Sequence, residues 1–188
     1  VRTPDLHSVA ITRVVEAQRR RHPEIISLRV HSLPGQTVAG PASAAQAADA
    51  TGPMTISEPV QDAAHGDWRV LYRRTCRLAD GHQAEVVAAV PVTYFKALLA
   101  GLELDRHGSA VIRHTGHALL TRHPAAPGPG GQVGNRTISP EFDAFLASGQ
   151  KRGMFHTPRA PDGYERTYAS LRIGNMPYVL NVGMSPQD

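Results

Sequence analysis

The spacing of apolar residues changes several times along the chain, and each change marks an element. Leu6, Ala10, Val14 and Ala17 recur at helical spacing behind Thr3-Pro4-Asp5, which supplies a hydroxyl cap, a first-turn proline and an acid at the positive dipole end. The pattern predicts a helix that ends at Arg19-Arg20-Arg21, before His22-Pro23. A solvated helix end accounts for that basic run. Ile26, Leu28 and Val30 then alternate with polar residues, as in a half-buried strand. Pro34-Gly35 turns the chain into Thr37-Val38, residues 41–53 read as a loop, and Met54 to Val60 as a third strand. Trp68 to Leu78 and Glu85 to Val90 form a hairpin about Asp80-Gly81. Val92, Phe95, Leu99 and Leu102 share one face of a following helix.

The same order then returns. Ala110 to Arg113 and Ala118 to Thr121 are strands about the Thr115-Gly116 turn, and a Pro/Gly loop runs from Pro124 to Gly134. Ser139-Pro140-Glu141 opens a helix through Phe142, Phe145 and Leu146. Strands follow at Gly153–Thr157, Glu165–Ile173 and Tyr178–Met184, with turns at Asp162-Gly163 and Gly174-Asn175. Tight turns make antiparallel neighbours. The expected class is therefore α+β: two tandem modules, residues 1–91 and 92–188, each a mostly antiparallel sheet of about five strands with flanking helices. A long N-terminal helix precedes them.

Composition narrows the function. With 41% apolar residues in 188, the chain can bury a core. Its net charge is +4, but only Lys96 and Lys151 are lysine, the basic residues are scattered, and aromatics are 5%. A nucleic-acid surface needs clustered charge and stacking platforms, so none is expected. Cys76 is the only cysteine and excludes an internal disulfide. The stretch Ala84–Leu104 is interrupted by Glu85, Pro91 and Lys96 and does not read as a membrane span. The chain starts at Val1 without a signal-peptide pattern and reads as a piece of a larger protein.

Catalytic signatures are missing. Gly128-Pro129-Gly130-Gly131-Gln132-Val133-Gly134 misses the dinucleotide fingerprint, and neither a phosphate loop nor a nucleophile elbow occurs. Cys76 lies mid-strand, as a packed thiol does. His114 and His117 flank a turn, with His107 and His123 nearby, but no cysteine or acid joins them, so solvated histidines are expected rather than a metal. Asn135-Arg136-Thr137 is a weak glycosylation match. Neither catalytic residues nor a cofactor is expected.

Two stretches resemble a known family. Asp80-Gly81-His82-Gln83-Ala84-Glu85-Val86-Val87-Ala88-Ala89-Val90 running into Thr93-Tyr94-Phe95 is similar to the last hairpin and linking helix of one module. Asp162-Gly163-Tyr164-Glu165-Arg166-Thr167-Tyr168-Ala169-Ser170 with Pro177-Tyr178-Val179-Leu180-Asn181-Val182-Gly183-Met184 is similar to the closing strands of the next. In order of elements nearly the whole chain resembles the double Cache domains, the PAS-like extracytoplasmic sensors of bacterial histidine kinases, diguanylate cyclases and chemoreceptors. The resemblance implies a first helix rising from the inner membrane, homodimerisation through it, a periplasmic location and a small-molecule ligand in the membrane-distal first module. Members that bind amino acids carry an aspartate where this chain has Ala89-Val90-Pro91-Val92, so it implies a different ligand.

Alternation places Trp68, Val70, Tyr72, Arg74 and Cys76 on one face of the long strand. Trp68, Tyr72 and Arg74 are the candidate ligand-binding residues, with Arg74 holding an anionic group such as a carboxylate. The same alternation also suits Trp68 and Tyr72 packed under loop 41–53 with Arg74 solvated. In the second half, Glu165 and Arg166 are expected in structural ion pairs. The alternative to a sensor is a periplasmic protein-interaction or assembly module without a small ligand.

Overall fold

The computed structural model describes residues 9–32, 49–50, 52–77 and 83–187. The proposed helix start at Thr3, the strand at Thr37-Val38 and the Asp80-Gly81 turn lie outside the described residues. The class is α+β, with mostly antiparallel sheets and few helices. The chain divides into two compact units, Val1–Ser57 with Arg69–Pro91, and Glu58–Trp68 with Val92–Asp188.

The first unit holds helix α1 (Val9–Arg21) and strands β1 (Ser27–Ser32), β2 (Asp49–Ala50) and β3 (Thr55–Ile56). Strand β4 (Val60–Gln61) falls in the second unit; β5 (Trp68–Arg77), from Arg69 onwards, and β6 (Gln83–Pro91) belong to the first. The sheet runs β1-β6-β5-β2, with β3 also paired to β5. Arg19, Arg20 and Arg21 are exposed at the end of α1, as a solvated helix end requires. The strand expected over Met54–Val60 is broken into β3 and β4, because Pro59 has no N–H to give to a ladder. The loop expected over 41–53 contains a two-residue strand, Asp49 and Ala50 facing Arg77 and Cys76. Val70, Cys76, Ala84, Ala89 and Val90 are buried. The Cys76 thiol faces the Ala84 carbonyl, and burial raises its pKa, which leaves it protonated and inert.

The second unit begins its main run with helix α2 (Val92–Ala100), then β7 (Ser109–His114) and β8 (Leu119–His123). A short 3-10 turn (Pro129–Gly131) interrupts the loop before helix α3 (Pro140–Ala147). Strands β9 (Arg152–Thr157), β10 (Arg166–Arg172) and β11 (Tyr178–Met184) complete the sheet, ordered β8-β7-β11-β10-β9 and antiparallel throughout. Alternation turns Val111, Arg113, Asn181, Val179, Tyr168, Ser170, Phe155 and Thr157 to one face. Helix α3 lies on that face: Phe142 and Phe145 pack with Val179, and Ile138, Leu146 and Phe155 surround them. Both ends of α3 are satisfied. The Ser139 hydroxyl accepts from the Phe142 N–H, Pro140 occupies the first turn, and Arg172 donates to the carbonyls of Leu146 and Gln150.

Candidate functional site

Under α3 the second unit holds a small, half-open recess of about 40 Å³. Its apolar wall includes Val111, Leu119, Ile138, Phe142, Phe155 and Pro161. Its polar lining is Arg113, Arg122, Ser139, Thr157, Tyr168 and Asn181. A concave apolar space with a few convergent polar groups is how small-molecule sites are built. A β-bulge makes the lining possible. Ile112 faces Thr121 but Arg113 faces Leu119, so β8 carries one extra residue, and Leu119 and Arg122 come to one face although they stand three positions apart.

The two guanidiniums of the recess differ in their neutralisation. Arg122 donates to the Pro124 carbonyl and to Asp162 Oδ2. Asp162 also receives both arms of Arg166, at 2.6 and 2.8 Å, while Arg166 Nε donates to the His107 carbonyl. Burial alone would raise the Asp162 pKa, but the hydrogen bonds and charges of Arg166 and Arg122 outweigh it and hold the carboxyl below 3.8. Arg113 has no such partner. It is 6% exposed, and its Nη1 donates to the carbonyls of His117 at 2.8 Å and Asn135 at 2.9 Å. Among the described residues nothing accepts from its Nη2 or Nε, and no carboxylate pairs with it. Burial, reinforced by the Arg122 charge and opposed by Tyr168, lowers its pKa to about 10, so it stays charged at neutral pH. Asn181, 4% exposed, accepts from the Ser170 hydroxyl at Oδ1 and leaves its Nδ2 without a partner among the described residues.

The hydroxyls nearest the recess serve the fold. Ser139 and Thr157 lie 3.1 Å apart, and Thr157 donates to Glu141. The Ser139 oxygen also caps α3.

The residues expected to bind ligand sit on β5. Trp68 and Tyr72 are half-buried and Arg74 is exposed, while Val70 and Cys76 on the same face are buried. Trp68 itself falls in the second unit, and its ring lies over Gly134 of that same unit, where an added Cβ would come within 3.0 Å of it. Gly134 has φ 82°, so the close approach and the backbone both call for glycine. Loop 41–53, the alternative cover for Trp68 and Tyr72, lies mostly outside the described residues. The sequence reading missed Arg113 and Asn181. Their signal was a single polar residue inside an otherwise apolar strand, Val111-Ile112-Arg113 and Leu180-Asn181-Val182.

The histidines are separately engaged. His117 pairs with Asp143 at 3.2 Å, His156 with Glu165 at 3.2 Å, and the His107 ring lies tilted against Tyr164, centroids 4.8 Å apart. Among the described residues no three His, Cys, Asp or Glu side chains gather as metal ligands. Of the two residues expected in a structural ion pair, Arg166 forms a buried one with Asp162, whereas Glu165 is exposed beside His156.

His114 Nδ1 accepts from the Gly116 N–H at 2.9 Å and lies 3.3 Å from Glu58. Burial pushes its pKa below 6.5 against the pull of Glu58, whose other oxygen pairs with Arg136. The folded chain therefore binds this proton more weakly than the unfolded chain. The stability it contributes is full above 6.5 and shrinks as pH falls through the depressed value. Unfolding free energy should fall between about pH 7.5 and about pH 5.5, and His114→Asn, which keeps an acceptor for Gly116, should flatten that slope. An unchanged slope in denaturant titrations of the variant would contradict this account of His114.

No family model matches the chain, and no curated protein matches it in sequence. Solved structures do match in fold. The chain is similar to the extracellular domain of rpHK1S-Z16, a protein described as a histidine kinase, with 21% identity, 96% of this chain and 78% of that one covered, and TM-score 0.72. It is similar to the ligand-binding domain of the Pseudomonas aeruginosa amino-acid chemoreceptor PctC, solved with GABA (14% identity, 98% and 83% covered, TM-score 0.60). A third likeness is to the ligand-binding domain of the Pseudomonas fluorescens chemoreceptor CtaA, solved with L-leucine (14% identity, 97% and 80% covered, TM-score 0.59). The fold is thus that of the extracellular sensor domains of histidine kinases and chemoreceptors, consistent with the Cache resemblance.

Proposed function

We propose that the chain is the non-catalytic, extracytoplasmic ligand-sensing domain of a transmembrane receptor: a histidine kinase, a diguanylate cyclase or a chemoreceptor whose output domain lies in the cytoplasm. The observation that carries this reading is the recess under α3, mostly apolar with a few inward polar groups and no nucleophile–base pair among its lining. The fold likeness over nearly the whole chain supports it. No helix among the described residues is long and apolar enough to cross a membrane. The proposed layout is two tandem PAS-like modules, residues 1–91 distal and 92–188 proximal. A long N-terminal helix, of which Val9–Arg21 is described, joins the distal module to the inner membrane and pairs with its copy in a homodimer.

In the first module Trp68, Tyr72 and Arg74 of β5 are the proposed ligand residues, with the exposed Arg74 guanidinium taking an anionic group. Ligand binding would act by shifting the population between two arrangements of the receptor. A thermal-shift screen of small metabolites on the purified chain tests the reading. At least one small acid should raise the melting temperature saturably, and Arg74→Ala should weaken the response to a ligand of the first module by on the order of tenfold. A response that survives Arg74→Ala intact removes Arg74 from the site; a screen without any response removes the ligand-sensing reading.

A further inference from the structure

We infer that the recess of the second unit is itself a binding site for a small monocarboxylate, held by Arg113 and Asn181. This rests on the sensor reading, which the same recess supports, and adds a ligand site apart from the residues proposed on β5.

Charge carries the argument. Arg113 is a buried guanidinium with two carbonyl acceptors on Nη1 and no carboxylate among the described residues. A buried charge without a counter-ion is costly, and a bound anion is the remaining way to compensate it. The Nη2 and Nε groups form one edge of the guanidinium fork, which matches the two oxygens of a carboxylate. Asn181 stands on the neighbouring strand and the same face: it opposes Val111, two residues before Arg113, and its Nδ2 is a further buried donor.

The same bookkeeping sets the ligand's charge at one. Arg122, the other guanidinium of the lining, is already matched by Asp162. The Glu141 carboxylate sits just behind Thr157 Oγ1, at 3.1 Å, and disfavours a second negative charge. Val111, Leu119, Ile138, Phe142 and Phe155 offer only carbon beyond the polar end, which suits a short aliphatic tail. Acetate, propionate and pyruvate have the required charge, fork and size.

The test uses the purified chain with sodium acetate, propionate and pyruvate, with chloride and phosphate at equal ionic strength as controls. At least one monocarboxylate should raise the melting temperature saturably, and neither control should. Arg113 also holds the carbonyls of His117 and Asn135, so its removal would disturb the fold, and Asn181→Asp is the informative variant. Its carboxylate keeps the acceptor for Ser170 and supplies an internal counter-ion in the same recess. The variant should melt higher than wild type without ligand and lose the response by on the order of tenfold or more in affinity.

The proposal is overturned if none of the three acids stabilises wild type, if phosphate stabilises it equally, or if Asn181→Asp keeps the full response. Loss of the monocarboxylate response in Asn181→Asp with an undiminished response in Arg74→Ala supports the second site. If some other metabolite still stabilises wild type through Arg74 while all three acids fail, this site falls and the sensor reading stands.

Discussion

Replacing Asp162 with alanine should lower the unfolding free energy by about 3–5 kcal/mol, the cost of breaking a buried ion pair from one side. Asp162 is 7% exposed at its side chain and is shared by Arg166, 2% exposed, and Arg122, 10% exposed. Alanine leaves both guanidiniums buried, with the carbonyls of His107 and Pro124 and the Tyr168 hydroxyl as their acceptors. Urea unfolding reads the effect as a lower midpoint at unchanged slope. The pH sign follows from the depressed carboxyl. Its contribution is present above 3.8 and is lost as pH falls through the lower folded value, so wild type and variant should converge in acid. A change below about 1 kcal/mol at neutral pH would mean that the triad is solvated, as a surface pair is.

Phe142→Ala should cost a similar amount, about 3–5 kcal/mol, because it deletes a buried aromatic and leaves a cavity. Phe142 is 5% exposed, and its ring centroid lies 6.4 Å from Phe145 and 6.0 Å from Phe155. The same ring lines the recess, so its loss should also enlarge the space under α3. Two readouts are expected together: a lower unfolding midpoint and a shift in ligand preference towards longer carbon tails. A midpoint within about 0.5 kcal/mol of wild type would show that α3 is not seated by its aromatic face.

Much of the fold was legible because strong local signals agreed with burial. Strand β11 was read with its observed bounds, Tyr178–Met184, since the apolar run is closed by the turn before Tyr178. Helix α3 was announced by Ser139-Pro140-Glu141, and Ser139 does cap it. Failures came where geometry depends on distant residues or on one backbone irregularity. Pro59 splits a strand that alternation alone draws as continuous. The bulge between Ile112 and Arg113 moves Leu119 and Arg122 to one face, and no period in the sequence carries that shift. Asp162 was legible as a turn residue, and Gly163 beside it does adopt φ 91°. Its ion pair with Arg122, 40 residues away, was not.

The site shows the same division. Alternation placed Trp68, Tyr72 and Arg74 on one strand face, but it does not tell which strand lies beneath a helix and which faces outwards. Arg113 differs from Arg74 only in burial, which neighbours decide: Arg74 stands exposed on β5, while Arg113 lies beneath a loop whose Asn135 carbonyl it holds. A lone cation inside the run Ser109–His114 was the available sign that this strand buries a charge.

The most direct test is a calorimetric titration of the purified chain with the best small acid from the screen, followed by chemical recovery of that acid. The account predicts saturable binding with a fixed number of sites and a ligand recovered unchanged. A ligand recovered as a different compound, or no saturable heat for any small molecule in the screen, would contradict it.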